Sequence, residues 1–114
     1  MAEPNPEELF DLGMLSYDKQ DFSKARKYFE KACELEDGSG CFNLGELYLE
    51  KDSKKAVALF EKSCDLNISR GCGNLGVLYY NGDGVKRDSK KADQYFSKAC
   101  KLGNQKACEA LKEK

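Results

Sequence analysis

The sequence predicts an all-α fold, a solenoid of about three helical hairpins closed by a single final helix. Three observations carry that prediction. Apolar residues recur three and four positions apart, as in Ala25, Tyr28, Phe29 and Ala32. The same landmarks return at a near-constant interval, the signature of stacked repeats. Six cysteines fall into three brackets of one length: ACELEDGSGC, SCDLNISRGC and ACKLGNQKAC. Strand-type alternation is absent, and the Asn81-Gly82 pair reads as a loop between helices.

The brackets set the repeat frame. Ala25, Ala56 and Ala92 each precede the first cysteine of a bracket (Cys33, Cys64, Cys100) by eight residues. Leu44, Leu75 and Leu111 each follow the second cysteine (Cys41, Cys72, Cys108) by three. Leu-Gly recurs at 12–13, 44–45 and 75–76, and Phe29, Phe60 and Phe96 follow the alanines by four. The period is 32 from Leu12 to Leu44, 31 from Leu44 to Leu75 and 36 from Ala56 to Ala92. The longer third unit holds its extra residues in YNGDGVKRD at 80–88. This places repeat one at about 6–37, repeat two at 38–68, repeat three at 69–103 and a capping helix at 104–114, in one domain.

The elements follow in order. The first helix runs from Pro6 to Asp18: Asn5 caps it, proline suits the first position, and Glu7 and Glu8 favour the positive end of the dipole. The second helix of each hairpin starts after Asp21, Asp52 and Asp88, all good N-caps. The final helix lies near 104–112, and its ALKEK end offers the polar face that keeps a solenoid soluble and monomeric. Gly13, Gly45 and Gly76 fall inside first helices, where glycine costs about 1 kcal/mol against alanine. Paying that three times implies close helix contact, with Ala25, Ala56 and Ala92 expected opposite. The Lys-Lys pairs at 54–55 and 90–91 read as solvated helix starts.

Charge excludes some functions. Charged residues make up 34% of the chain, 19 basic against 20 acidic, so no basic face for nucleic acid is expected. No run approaches the ~18 apolar residues of a membrane span. MAEPNPEELF has neither a basic n-region nor an apolar h-region, so no signal peptide is read in it.

LGMLSY and LGVLYY, with YFEKAC, LFEKSC and YFSKAC, resemble the Sel-one-like repeat, a relative of the tetratricopeptide repeat. NGDGVKRD resembles that family's loop between its two helices. A C-x₇-C bracket in every unit narrows the resemblance to the Helicobacter cysteine-rich protein family. It covers nearly the whole chain, although the first two units lack the insert and have tetratricopeptide-like length. The resemblance implies a right-handed solenoid. It also implies an association with penicillin binding and weak β-lactamase activity.

Residues eight apart on a straight helix are separated by about 12 Å of rise, whereas a disulfide needs Cα atoms within roughly 7 Å. The brackets can close only if the chain turns inside them. Gly38 and Gly40, Gly71, and Gly103 are the expected turn residues. Six cysteines allow 15 connectivities, and the repeat frame selects Cys33–Cys41, Cys64–Cys72 and Cys100–Cys108, each worth about 2–3 kcal/mol on the chain-entropy model. Zinc is the rival, but the chain has no histidine and lacks C-x₂₋₄-C spacing. A redox C-x-x-C is also absent. No metal or cofactor is called for, and disulfides imply a secreted or periplasmic protein.

Ser16-Tyr17-Asp18-Lys19 matches the S-x-x-K pattern of serine β-lactamases, which makes Ser16 and Lys19 weak catalytic candidates. No S-D-N or K-T-G accompanies them. Ser16 aligns with Tyr48 and Tyr79, a structural position. The stronger candidates lie on the first helices, which line the concave face of such solenoids. The resemblance to tetratricopeptide domains implies asparagines and bases there that hold a peptide. Asn43 and Asn74 match, with Asp11 in the first unit and Arg70 one turn before Asn74. An asparagine amide suits a peptide bond because it both donates and accepts; the same side chains could instead brace neighbouring helices. Further groove candidates are Phe10, Phe42, Met14, Glu46, Val77, Tyr17 and Tyr80. The expected function is an extracytoplasmic module binding a peptide or protein, in host interaction or envelope scaffolding. The alternatives are a penicillin-binding protein with weak β-lactamase activity, and a purely structural or engineered scaffold.

Overall fold

The computed structural model describes residues 4–113, so Met1–Glu3 and the last residue of the expected capping helix, Lys114, lie outside the described residues. Among the described residues there are seven helices and no strand: α1 (Pro6–Asp18), α2 (Phe22–Glu34), α3 (Gly38–Tyr48), α4 (Ser53–Asp65), α5 (Ser69–Asn81), α6 (Ser89–Lys101) and α7 (Gln105–Lys112). Each helix packs chiefly on its neighbours in sequence, and the molecule extends 52 × 27 × 21 Å. This is the hairpin solenoid that the repeat frame predicts. The odd-numbered helices are termed A helices and the even-numbered ones B helices. No helix among the described residues is long and apolar enough to cross a membrane.

Caps start the helices where the short polar residues stand. Asn5 Oδ1 accepts from the Glu8 amide at 2.8 Å. Asp21, Asp52 and Asp88 accept from the amides of Lys24, Lys55 and Lys91 at 3.2, 3.1 and 3.0 Å. Asp37 and Asn104 cap α3 and α7 in the same manner. At the matching place before α5 stands Ile68, which makes no side-chain cap but packs against the core.

The core is a ladder of repeated contacts. Ala25, Ala56 and Ala92 are wholly buried, and Phe29 and Phe60 nearly so. A Cβ on Gly13, Gly45 or Gly76 would lie 2.5, 2.8 or 2.7 Å from the ring of Phe29, Phe60 or Phe96. The expectation that alanine faces these glycines is therefore corrected. The phenylalanine one turn further along the B helix fills the space, and the glycine admits its edge. Each Lys-Lys pair is exposed, and its second lysine lies over a tyrosine: Lys55 4.4 Å from the Tyr48 ring centre, Lys91 5.2 Å from that of Tyr79.

The brackets close as expected. Cys33–Cys41, Cys64–Cys72 and Cys100–Cys108 are disulfides with Cα atoms 4.5, 4.6 and 4.8 Å apart. Each joins the end of a B helix to the following A helix across a short turn. The turn residues differ from the expected ones. The left-handed residue is Glu36 (φ 66°), Asn67 (φ 66°) or Gly103 (φ 101°), always three after the first cysteine. Gly38, Gly40 and Gly71 lie inside A helices, where a Cβ would collide with Ile68, Ala32 and Ser63. Those three glycines permit helix approach; only Gly103 makes the turn.

A left-handed conformation costs a non-glycine residue about 1–2 kcal/mol, against about 0.5–1 kcal/mol for the extra entropy that glycine loses on folding. Glu36→Gly is therefore expected to raise stability by about 0.5–1 kcal/mol. The exposed Lys62–Glu36 ion pair at 3.6 Å contributes too little to reverse the sign. Urea unfolding of the oxidised protein measures it, with Asn67→Gly expected to gain less because asparagine tolerates the conformation better.

Candidate functional site

The A helices present a row of three clefts. The first, about 650 Å³, lies between α1 and α3 and is lined by Asp11, Ser39 and the neighbouring Phe10. The second, about 270 Å³, is lined by Met14 and Tyr17 of α1, Asn43, Glu46 and Leu47 of α3, Arg70 of α5, and Phe29 from behind. The third, about 710 Å³, lies between α5 and α7 and includes Arg70, Asn74, Val77 and Lys106. The clefts are one construction repeated. The position occupied by Asp11, Asn43 or Asn74 faces the first turn of the next A helix, at Ser39, Arg70 or Lys106.

Most of the predicted site residues meet here, with distinct tasks. The Asn43 side-chain amide donates to the Ser39 carbonyl of its own helix at 2.9 Å, and the residue lines the middle cleft. Asn74 Nδ2 donates across helices to Glu46 Oε1 at 3.3 Å and so joins α5 to α3. Both asparagines thus brace the A helices while lining clefts. The Arg70 guanidinium lies 4.5 Å from the centre of the Phe42 ring. Phe42 itself is 4% exposed and packs on Phe60 at 5.7 Å, so it supports Arg70 from below and lines no cleft among those described. Phe10 is half-buried against Phe29 at 5.8 Å. Tyr17 and Val77 are exposed and form cleft walls. Tyr80 is exposed away from these clefts. Its carbonyl accepts from Arg87 Nε at 2.9 Å, and the guanidinium lies 5.4 Å from its ring centre. Sequence reasoning missed Ser39 and Lys106, although both stand two residues before the second cysteine of a bracket, as Arg70 does.

The weak catalytic candidates Ser16 and Lys19 lie at the end of α1. The Ser16 hydroxyl is 7% exposed and donates to the Leu12 carbonyl of its own helix at 2.9 Å. Lys19 is the exposed C-cap residue of α1. All six cysteines are disulfide-bonded, so no thiolate is available as nucleophile or metal ligand.

Fold and clefts define a disulfide-stapled helical-repeat protein whose A helices carry a row of clefts with mixed polar and apolar linings. The Sel1 repeat profile matches residues 38–68 and 69–104, more than half of the chain, and the tetratricopeptide repeat profile matches residues 6–39. The chain belongs to the Sel1 repeat family. It is 62% identical over 50 residues to HcpC of Helicobacter pylori strain J99, and 56% identical over 50 residues to β-lactamase HcpA of that strain. These matches cover 44% of this chain but only 17% and 20% of the two relatives, so it spans a fifth or less of the curated relatives it matches. The solved structure of Helicobacter pylori cysteine rich protein B is similar with a TM-score of 0.74 at 41% identity, over 81% of this chain and 71% of that one. The tetratricopeptide match falls on the first, shorter unit, and the Sel1 matches on the two that follow.

Proposed function

We propose that this protein is a peptide- or protein-binding module working outside the cytoplasm, with an extended segment of its partner lying along the inner faces of α1, α3, α5 and α7. The observation that carries this reading is the threefold recurrence of one cleft, with polar side chains at matched positions above apolar walls. An extended peptide also repeats its donors and acceptors, so a periodic face suits it. The three disulfides support an oxidising compartment, periplasmic or secreted. Host interaction and envelope scaffolding both fit such a module.

The test uses peptides selected by display on the oxidised protein. Asn43→Ala combined with Asn74→Ala is expected to lower their affinity about tenfold, some 1.4 kcal/mol. Unchanged affinity sinks the groove assignment. The enzymatic reading draws on the β-lactamase name of HcpA. Covalent labelling by a penicillin probe that vanishes in Ser16→Ala would replace binding with catalysis. The commitment of Ser16 to Leu12 leads us to expect no such Ser16-dependent label.

A further inference from the structure

The three clefts are built alike but charged differently. The first is lined by the carboxylates of Glu7, Asp11, Glu36 and Asp37, and by no lysine or arginine. The middle cleft holds one of each sign, Glu46 and Arg70. The third is lined by Arg70 and Lys106 and by no acid. The chain as a whole is nearly neutral, 19 bases against 20 acids, so the segregation is local to this face. Two of the four carboxylates are partly engaged: Asp37 accepts from the Ser39 amide at 3.1 Å, and Glu36 pairs with Lys62 at 3.6 Å. Glu7 and Asp11 are both exposed on α1. At the other end, Arg70 is held over Phe42, and Lys106 is exposed in the first turn of α7.

We propose that the groove has a direction. It takes an extended peptide whose basic end lies against α1 and α3 and whose carboxylate end lies against α5 and α7. The inference rests on the peptide-binding reading above and adds the chemistry and polarity of the ligand. Charge complementarity of this kind orients a partner and rejects the reversed one, because like charges would then be juxtaposed. Asn74 and Asn43, between the two charged ends, offer neutral hydrogen-bonding groups where the peptide backbone would cross. Helix axes 8–10 Å apart place four A helices across roughly 30 Å. An extended chain at about 3.3 Å per residue covers that in about nine residues.

A synthetic peptide of about nine residues, the length set by the extended rise, serves as the probe. Two lysines stand at its amino end, two aspartates at its free carboxyl end, and serine, alanine and glycine between. A nitroxide is attached to either end in turn, and amide spectra of the oxidised full chain report which signals broaden. The tag on the acidic end is expected to broaden Gly73 and Gln105 to Ala107. The tag on the basic end is expected to broaden Phe10, Asp11 and Ser39. Arg70→Glu with Lys106→Glu should weaken binding of this peptide about tenfold at low salt, with less effect at high salt. Broadening confined to the groove but equal from both tags, or in reversed order, overturns the polarity and leaves the groove reading standing. Broadening on the outer faces of α2, α4 and α6, or none at concentrations near 1 mM, overturns both.

Discussion

Phe60→Ala is expected to lower the unfolding free energy by about 3–5 kcal/mol, among the largest losses from any single side chain here. Phe60 is fully buried, packs on Phe42, and lies in the notch that Gly45 leaves in α3, the A helix of its own hairpin. Truncation removes its transfer free energy and leaves a cavity that helix packing cannot readily close. Phe96 occupies the same register under Gly76 but is only half-buried, so Phe96→Ala should cost less. The pairing has its own signature. Gly45→Ala alone should cost about 1–3 kcal/mol, because the new Cβ would lie 2.8 Å from the Phe60 ring. In the Phe60→Ala background the same change should cost much less. Denaturant unfolding of the four proteins in that cycle measures the coupling. Additive effects would show that the glycine does not serve the ring.

Reducing all three disulfides is the second large effect. Each closes a loop of nine residues or so and contributes about 2.5 kcal/mol on the chain-entropy model, together about 7.5 kcal/mol. A domain of this size is stable by about 5–15 kcal/mol. Reduction should therefore drop Tm by about 20 °C or more and leave the protein close to unfolding in the warm. The bonds should not yield together. Cys41 and Cys72 are fully buried with their partners nearly so, whereas Cys100 and Cys108 are half-buried. Cys100–Cys108 is expected to be reduced first, leaving a folded intermediate with two bonds, seen by alkylation and mass measurement during a reductant titration. Simultaneous loss of all three would mean that global unfolding gates reduction.

Much of this fold was readable in advance because the chain states each rule three times. A single aspartate would be a weak cap signal; Asp52 and Asp88 in phase with Asp21, each four residues before the buried alanine, make it a strong one. The disulfide pairing came from the same redundancy. Errors arose where a position is shared but its residue is not. Glu36, Asn67 and Gly103 adopt one left-handed conformation, yet only one is glycine, so the sequence pattern points to Gly38, Gly40 and Gly71 nearby instead. Those glycines answer to steric contact with another helix, which no local pattern records. The candidate site was half legible. Helix register brought Asp11, Asn43, Asn74 and Arg70 to one face. That Phe42 turns inward beneath Arg70, and that Asn74 reaches Glu46, depend on how far each hairpin is rotated on the next.

The staples join successive repeats, and the segments they enclose, 34–40, 65–71 and 101–107, hold the left-handed turns. Exposed turns of that kind are where a protease finds purchase. A cut anywhere inside a bracket leaves both new ends tied by the sulfur bridge a few residues away. The nicked molecule gains only the mass of the water consumed in the cleavage, and no fragment can depart until a reductant arrives. A cut in one of these turns therefore costs the molecule less than a cut in the longer, unbracketed loop at 82–88, a form of damage tolerance that hydrolysis of the backbone alone cannot defeat.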